Sequence, residues 1–201
     1  MYKKFVKRIF DMALTFCAMP FLLPLLALLA LVVRLDSKGP VIFRQQRGGR
    51  GGTYFTMYKF RSMSVDLAAE GKGFEPGQGR RVTRVGRFLR KTKLDELPQL
   101  FNVLKGDMAL VGPRPEVRPY IELYPERWAK VLSERPGLTD PASIQFRNEE
   151  EILAAASKPE DCYRNEILPM KLDLYENYVE NISFAGDMNV LLRTVAAVLL
   201  H

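Results

Sequence analysis

Residues 12–33 read MALTFCAMPFLLPLLALLALVV and contain no charged side chain. As a helix this run would be about 33 Å long, which is enough to cross the ~30 Å hydrocarbon core of a bilayer. Pro20 and Pro24 lie near its middle. Each removes a backbone N–H and clashes with the preceding turn. The run therefore predicts a membrane segment that is broken or kinked near its centre.

Basic residues flank this run on both sides, and positive flanks favour the cytoplasmic side of a membrane. They are Lys3, Lys4, Lys7 and Arg8 before the run, and Arg34, Lys38, Arg44 and Arg47 after it. If both flanks stay on that side, the segment enters and leaves by the same face as a re-entrant hairpin. A kinked span stays equally open from these features, while a buried helix of a soluble protein fits the uniformly apolar run less well.

The composition of the chain excludes several classes of site. It has 201 residues and a formal net charge of +7, which favours anionic partners, although a basic solvated surface explains the charge equally well. The only histidine is His201, and Cys17 and Cys162 are far apart in sequence. Zinc sites, disulfide scaffolds and Ser-His or Cys-His nucleophiles are therefore excluded. Any nucleophile, acid or base must come from Asp, Glu, Lys, Tyr or a hydroxyl.

The pattern of the remaining sequence predicts an α+β fold that is mainly helical. Two β-prone stretches around the glycines at 48–52 predict a small β-hairpin within residues 39–58, and glycines at 71–79 predict a surface loop. Helices are predicted at 84–91, 95–105, 118–135, 149–156, 163–180 and 186–200. The basic, amphipathic helix 84–91 and the last helix are expected at the membrane interface. We divide the chain into residues 1–38, the membrane hairpin with its flanks, and residues 39–201, a domain at the membrane surface.

Two adjacent carboxylates, Asp95 and Glu96, stand at the predicted start of the helix 95–105. A helix start offers free N–H donors and a positive dipole end, which stabilise carboxylates and attract phosphate. Arginines and lysines lie just upstream, as an anionic nucleophile beside a phosphate site requires. They are Arg87, Arg90, Lys91 and Lys93. Plain helix capping explains the two acids equally simply, and by themselves they favour that interpretation.

Three further segments carry polar side chains on turns. Lys59 and Arg61 directly follow a predicted strand, and residues 135–139 form a rigid polar turn. Arg114 lies between Pro113 and Pro115, which fix the backbone on both sides. An arginine on such a stiff turn can bind phosphate with its planar fork at a low entropic cost. Taken singly, each segment is also typical of an ordinary turn.

In sequence order, six motifs resemble those of the bacterial sugar transferase family, the monotopic phosphoglycosyl transferases. They are Lys7-Arg8-Ile9-Phe10-Asp11, Gly39-Pro40-Val41-Ile42-Phe43, Tyr58-Lys59-Phe60-Arg61-Ser62-Met63, Leu94-Asp95-Glu96-Leu97-Pro98-Gln99-Leu100-Phe101-Asn102-Val103-Leu104-Lys105-Gly106-Asp107-Met108, Val111-Gly112-Pro113-Arg114-Pro115 and Arg135-Pro136-Gly137-Leu138-Thr139. The match covers nearly the whole chain, and the runs at 94–99 and 113–115 are its most specific parts. The length resembles that of small members, which consist of the catalytic domain alone.

The resemblance implies a reaction in which a sugar 1-phosphate passes from a UDP-sugar to polyprenyl (undecaprenyl) phosphate and UMP is released. It implies that an aspartate attacks the β-phosphate, that a covalent phosphosugar intermediate forms, and that Mg²⁺ is required. This reaction is the first membrane step of bacterial glycoconjugate assembly, including exopolysaccharide. The residue types agree, because phosphoryl transfer needs positioning, charge neutralisation and an oxygen nucleophile but no histidine.

The resemblance also implies roles for individual residues. By motif, Asp95 corresponds to the nucleophile and Glu96 to its partner, and both are candidate Mg²⁺ ligands. The candidate substrate-binding residues are Lys59, Arg61, Arg87, Arg90, Pro113, Arg114, Pro115 and Gln145.

The sequence departs from the family pattern at two places. A Ser-Pro pair is common at the membrane break, whereas Leu23-Pro24 stands here with Pro20 in addition. After Thr139 the common Gly-Trp-Ala-Gln is replaced by Asp140-Pro141-Ala142-Ser143, and the difference continues to residue 150. We expect the segment 140–150, with Gln145, to influence the choice of sugar or nucleotide.

The expected partners are a UDP-sugar, undecaprenyl phosphate and membrane lipids, with no nucleic acid. The expected location is the cytosolic face of the bacterial inner membrane, around a cytosolic active site. The sugar, the acceptor length, the glycan pathway and a homodimer are left open. One alternative is a different UDP-sugar or nucleotide phosphotransferase acting on a lipid. Another is a non-catalytic membrane-anchored module that binds anionic lipid or nucleic acid, for which binding would depend strongly on salt and Asp95 would have no special role.

Overall fold

The computed structural model describes residues 2–64 and 82–199, so the predicted loop 71–79 and His201 lie outside the described residues. A π-helical turn, Tyr2–Val6, leads into the first helix. The helices are α1 Lys7–Asp36, α2 Arg84–Lys91, α3 Gln99–Lys105, α4 Arg118–Ile121, α5 Pro125–Val131, α6 Pro141–Gln145, α7 Glu149–Ala155, α8 Pro159–Cys162, α9 Leu168–Glu180 and α10 Phe184–Leu199. The strands are β1 Ile42–Gly48, β2 Tyr54–Phe60, β3 Ala109–Val111 and β4 Gly137–Thr139. The predicted fold class, mainly helical with a small amount of sheet, is confirmed.

The helix α1 contains the whole apolar run. Among the described residues it is the one helix that is long and apolar enough to cross a membrane. Pro20 and Pro24 both lie inside it, and the backbone is helical on either side of them. Of the two predicted forms, a broken or a kinked segment, the break is not present, since the helix continues through both prolines. Each proline costs a helical hydrogen bond, but its fixed φ is itself helical, so two prolines can bend a helix without ending it. The re-entrant course stays a prediction.

Both ends of α1 are bound to the rest of the chain. Near its beginning, Arg8 donates to the carbonyl oxygen of Val103 at 2.6 Å. Near its end, the carbonyl oxygen of Val33 accepts from Arg61 at 3.3 Å. The side chains of α1 that are buried are Lys7, Asp11, Thr15, Met19, Leu26, Leu29 and Val33. The first three are polar and the last four apolar, so the helix contributes a polar contact at one end and core residues at the other.

The predicted β-hairpin is confirmed. β1 and β2 pair antiparallel, with a register that runs from Ile42 opposite Phe60 to Gly48 opposite Tyr54. Lys59 therefore lies at the end of the hairpin that is remote from its turn. Phe60 belongs to the same buried cluster as residues of α1, α2 and α3, so the hairpin is packed into the core at that end.

The predicted helix 95–105 is divided into two pieces. A single 3-10 turn, Leu94–Glu96, precedes α3. Pro98 explains the division, because it has no N–H to donate to the carbonyl of Leu94 as an α-helix would require. The end of the helix is as predicted, since Gly106 follows it with a φ of 97°, the left-handed conformation that glycine favours. Asp95 and Glu96 therefore lie on a turn of their own ahead of α3.

A parallel pair of three-residue strands was not predicted. Val111 of β3 lies opposite Thr139 of β4. The backbone comes very close between Gly112, directly after β3, and Gly137, the first residue of β4, since a Cβ on Gly137 would lie 2.1 Å from the backbone nitrogen of Gly112. Such an approach requires glycine. The pairing brings the turn 113–115 and the segment that follows β4 out of the sheet side by side.

The predicted C-terminal helices are confirmed with shifted boundaries. Residues 118–135 form α4 and α5 with a break before Pro125, and the other three predictions correspond to α7, α9 and α10. A π-helical turn, Tyr163–Ile167, precedes α9. A second buried cluster around Trp128 and Tyr175 unites α4, α5, α7 and α9, whereas Val190 of α10 packs in a third cluster with Val111 and Tyr178.

Candidate active site

Four ionisable side chains from three parts of the chain meet in the candidate active site. Asp95 and Glu96 come from the 3-10 turn, Lys59 from β2, and Arg114 from the turn after β3. Asp95 and Glu96 are only 7% and 9% exposed. The structure thus brings together both predicted catalytic residues and two of the predicted substrate-binding residues.

Glu96 is fully engaged by cations. Its Oε1 accepts from Lys59 Nζ at 2.9 Å, and Arg114 donates to Oε2 at 3.2 Å and also to Oε1 through its second nitrogen. Burial alone would raise the pKa of Glu96, but Arg114 and Lys59 hold the pKa well below its usual value. Glu96 is therefore ionised, and it aligns two cations at one point of the site.

Asp95 differs from Glu96 in its hydrogen bonding and in the direction of its pKa shift. Its Oδ1 is buried and accepts no hydrogen bond from the described residues. Burial and the negative charge of Glu96 raise the pKa of Asp95 to about 6. A buried polar atom without a partner is rare in folded proteins. Asp95 therefore has an oxygen available for a phosphorus atom, a cation or a water.

Lys93 adds a strained backbone to the same turn. Its φ is 58°, and it has the only positive φ of a non-glycine residue in the described part of the chain. The left-handed conformation costs an ordinary residue roughly 1–2 kcal/mol. Such strain concentrates at functional sites. The sequence marked Lys93 as an upstream cation, but nothing in it signalled this conformation.

Asn102 fixes Lys59 relative to the two carboxylates. Its side chain accepts from the backbone nitrogen of Tyr58 at 3.1 Å and donates to the carbonyl oxygen of Thr56 at 2.8 Å. Asn102 lies on α3, directly after the turn that carries Asp95, and is fully buried. It belongs to the quoted motif, but sequence reasoning assigned it no role.

Arg61 lies away from the two carboxylates. Its buried guanidinium donates to the carbonyl oxygens of Pro40, Val33 and Ser37. These are groups at and after the end of α1, where a cation compensates exposed carbonyls. In this structure Arg61 joins α1 to β2, and a contact with substrate stays a prediction.

The two predicted arginines of α2 also lie outside the cluster. Arg90 forms an ion pair with Glu150 of α7, which is itself mostly exposed. Arg87 is exposed to solvent. Neither arginine contacts Asp95 or Glu96 within the described structure, so their binding of substrate stays a prediction.

The remaining predicted residues are placed as follows. Pro113 and Pro115 flank Arg114 in the turn, as the sequence indicates. The Pro113 carbonyl accepts from the Gly137 nitrogen at 2.9 Å, which ties the turn to β4. Gln145 is exposed and lines an open cavity of about 520 Å³. The other residues that line it are Arg147, Asn148, Glu151 and Ile152.

Gln99 is a further polar residue that sequence reasoning missed. It is 1% exposed, and its Nε2 has no hydrogen-bond partner in the described structure. It stands four residues after Asp95, at the first position of α3. The signal was present in the sequence, because a glutamine directly after Pro98 stands at the start of a short helix whose next two residues are apolar.

Asp95 and Glu96 are the candidate ligands for Mg²⁺. No group of three or more His, Cys, Asp or Glu side chains with metal-binding geometry occurs among the described residues. Magnesium commonly binds through one or two carboxylates together with substrate phosphates and water. Asp95 fits that arrangement through its unpaired oxygen, whereas Glu96 could contact a metal only by releasing Lys59 or Arg114, since both of its oxygens are bound.

Comparison with known proteins decides the family. The chain matches the bacterial sugar transferase family over residues 2–201. This chain belongs to the bacterial sugar transferase family. The expected membership is confirmed, and so is the expected enzyme class at the level of the family, because its curated members include undecaprenyl-phosphate sugar phosphotransferases.

Three relatives illustrate the similarity within this family. An N-acetylgalactosaminephosphotransferase acting on undecaprenyl phosphate, from Aeromonas hydrophila, is 35% identical over 97% of the chain and 44% of the relative. A UDP-glucose:undecaprenyl-phosphate glucose-1-phosphate transferase from Caulobacter vibrioides is 37% identical over 96% of the chain and 69% of the relative. An exopolysaccharide production protein from Rhizobium leguminosarum is 37% identical over 96% of the chain and 94% of the relative. The chain thus spans less than half of the first relative and nearly all of the third.

Proposed function

We propose that this chain transfers a sugar 1-phosphate from a UDP-sugar to undecaprenyl phosphate and releases UMP. The observation that carries the proposal is the unpaired, buried Oδ1 of Asp95 beside the two cations that bind Glu96. An oxygen nucleophile next to preorganised positive charge is what transfer of a phosphoryl group requires. The names of the relatives support the same donor and acceptor classes.

The chemistry consists of two displacements at one phosphorus atom. Asp95 Oδ1 forms a bond to the β-phosphorus while the bond from that phosphorus to the bridging oxygen breaks, and UMP leaves with the electron pair. An oxygen of the lipid phosphate then attacks the same phosphorus, and the bond to Asp95 breaks. The carboxylate must be ionised and have a free oxygen, and Asp95 meets the first condition above a pH of about 6.

The cations neutralise the charge of the transferred phosphate. Arg114 presents a planar fork suited to two phosphate oxygens, and Lys59 presents a point charge. Glu96 holds both in place before the substrate binds. Mg²⁺, when bound, would supply further charge neutralisation to the phosphates, and Asp95 is the carboxylate of the pair that can hold it without displacing a cation from Glu96.

We place the protein at the cytosolic face of the bacterial inner membrane because both flanks of α1 are basic, and the contacts of α1 support a re-entrant course. Lys7 lies 2.5 Å from Asp187 of α10, and Arg8 binds the end of α3. At the other end, Arg61 binds Val33. A straight helix would separate residues 7 and 33 by about 39 Å, more than the ~30 Å hydrocarbon core. One domain at one face of the membrane contacts both ends if the segment turns back to that face.

Cysteine labelling tests this course. Single cysteines at positions 4 and 38, in a variant that lacks Cys17 and Cys162, should both react with an impermeant reagent from the cytosolic side. Opposite accessibility would replace the hairpin by a span. Replacing Pro24 should increase the spanning population, although Pro20 can preserve part of the bend.

Release of UMP tests the function itself. The purified chain should release UMP from one or more members of a UDP-sugar panel when undecaprenyl phosphate and Mg²⁺ are present, and EDTA should stop the release. Without the lipid, it should exchange labelled UMP into the same UDP-sugar, because the first displacement is reversible. A folded chain that binds anionic vesicles in a salt-dependent manner, but releases no UMP from any donor, would be a non-catalytic module instead.

A further inference from the structure

Behind the candidate active site lies a second buried charged cluster, centred on Glu116, two residues after Arg114. Arg47 Nη1 of β1 lies 2.8 Å from Glu116 Oε1. Tyr163 donates from its hydroxyl to Glu116 Oε2 at 2.6 Å, and the Val117 nitrogen donates to Oε1 at 2.8 Å. Both carboxylate oxygens are therefore engaged, and this side chain has no oxygen left over for chemistry.

The cluster joins the β-hairpin to the turn 113–115. Arg47 also donates to the carbonyl oxygen of Pro115 at 3.3 Å, and the Gly48 nitrogen donates to the carbonyl oxygen of Glu116 at 2.9 Å. The hairpin carries Lys59 at its other end, where Asn102 binds the backbone of Thr56 and Tyr58. The two cations that converge on Glu96 are thus fixed to each other through one rigid hairpin.

The charge of Glu116 is compensated from several directions. Burial would raise the pKa of Glu116, but Arg47, Lys171 and the hydrogen bond from Tyr163 lower it. Lys171 is 5% exposed and lies over the Tyr163 ring, 5.3 Å from its centroid. Its own carboxylate partner is Glu149 of α7, at 2.8 Å. The network therefore reaches from β1 to α7 and α9.

We infer that Glu116 is a positioning residue, which holds the turn 113–115 against the β-hairpin so that Arg114 and Lys59 meet at Glu96. Removing one partner of a buried, hydrogen-bonded charge pair leaves the other uncompensated and lets the surrounding backbone shift. A displacement of about 1 Å in a reacting group can cost roughly 100-fold in rate. Glu116 therefore acts on turnover through Arg114. The part of this inference that concerns turnover rests on the proposed function.

The test compares Glu116→Gln with Glu122→Gln. The first change keeps the shape but removes the charge at the centre of the network. The second neutralises an exposed partner of Arg118 on the same segment. We expect Glu116→Gln to lower kcat/KM for the UDP-sugar by roughly 10- to 100-fold and to weaken UDP-sugar binding measured without lipid. Glu122→Gln should match the wild type in both.

Two further variants separate positioning from folding. Tyr163→Phe removes one hydrogen bond to Glu116 but keeps the ring that packs on Tyr120. We expect a smaller loss of the same kind in a protein that stays folded at the assay temperature, with a melting temperature lowered by the lost hydrogen bond. Arg47→Gln combined with Glu116→Gln should cost about as much as either single change, because both break one interaction. If the losses of kcat/KM of the two single variants multiply in the double variant, the two residues act independently and the inference is wrong. It is also wrong if the loss in Glu116→Gln disappears at temperatures below its unfolding transition, because the loss then reflects unfolding.

A distance measurement tests the same point without relying on turnover. Spin labels at Thr53 of the hairpin turn and at Glu122 report how firmly the two segments are joined. We expect Glu116→Gln to broaden or shift the distance distribution of the wild type. An unchanged distribution with unchanged UDP-sugar binding would reject the positioning role. A wild-type chain without UMP release from any donor would instead reject the proposed function and leave this distance result standing.

Discussion

Glu96 and Glu116 occupy similar surroundings but differ in what lies beside them. Each is a buried carboxylate bound by an arginine and by a second donor from another element. Both carboxylate oxygens of Glu116 have hydrogen-bond partners. Beside Glu96, in contrast, Asp95 keeps one buried oxygen unpaired. Four other buried side-chain atoms in the described part of the chain are also unpaired, so the candidate reactive centre is distinguished by an unpaired carboxylate oxygen that lies beside two cations.

The largest expected effect comes from removing the unpaired carboxylate. Asp95→Asn should lower UMP release by at least about 1,000-fold, as loss of a nucleophile does, while UDP-sugar binding persists. Asp173→Asn is the matched control, because Asp173 is an exposed carboxylate that pairs with Arg127. Exchange of labelled UMP into UDP-sugar by the Asp95→Asn protein at the wild-type rate would rule out Asp95 as the nucleophile.

The same substitution should also change stability in a pH-dependent manner. An acid whose pKa is raised on folding destabilises the folded state once it is ionised, and this penalty is absent below the unfolded value near 4. The pKa of Asp95 is about 6 in the folded protein. Asp95→Asn should therefore melt above the wild type at pH 8, and the difference should disappear toward pH 4. A wild type that melts higher at pH 8 would show that the carboxylate is stabilised by partners.

Arg114→Lys is expected to have an intermediate effect. A lysine keeps the charge but loses the two-pronged contact that Arg114 makes with Glu96 and offers to phosphate. A hydrogen bond to a charged group is worth roughly 1.5–3 kcal/mol, so kcat/KM should fall by about one to two decades. Arg118→Lys, on the exposed face of the same segment, should change little. Equal behaviour of the two variants would assign Arg114 to an ordinary turn.

Lys93→Gly gives the smallest expected effect, and it should separate stability from turnover. Glycine relieves the left-handed strain, which is worth about 1 kcal/mol, so the melting temperature should rise by a few degrees. Turnover should fall, because a positive charge near Asp95 is lost. Lys91→Gly lies in α2 and should lower the melting temperature instead. A lower melting temperature for Lys93→Gly would mean that side-chain contacts outweigh the strain.

Local patterns predicted much of the fold. The hairpin follows from β-prone stretches around glycines, and α2 has the predicted bounds 84–91. Pairing over long sequence distances was not accessible in this way. β3 and β4 have three residues each, which is too short for any periodicity, and only the close approach of Gly112 and Gly137 explains their pairing.

The candidate site was predicted in part for a related reason. The residues that the structure places together each belong to a recognisable motif or to a stiff turn in the sequence. They are Asp95, Glu96, Lys59 and Arg114. Arg61 and Arg90 look the same as Lys59 in a sequence, since a cation beside a motif does not reveal its partner. One binds carbonyls at the end of α1, and the other pairs with Glu150. The charged cluster around Glu116 was not predicted, because its partners Arg47 and Glu116 are 69 residues apart in the sequence.

The packing of α1 determines how this protein can be handled. Met19, Leu26, Leu29 and Val33 form one continuous cluster with Phe60, Leu89 and Val103. Cutting the chain at residue 38 to obtain a water-soluble fragment would expose the apolar side chains of Phe60, Leu89 and Val103 to solvent. Extraction in detergent or lipid discs with the first 38 residues retained is therefore the route to active material.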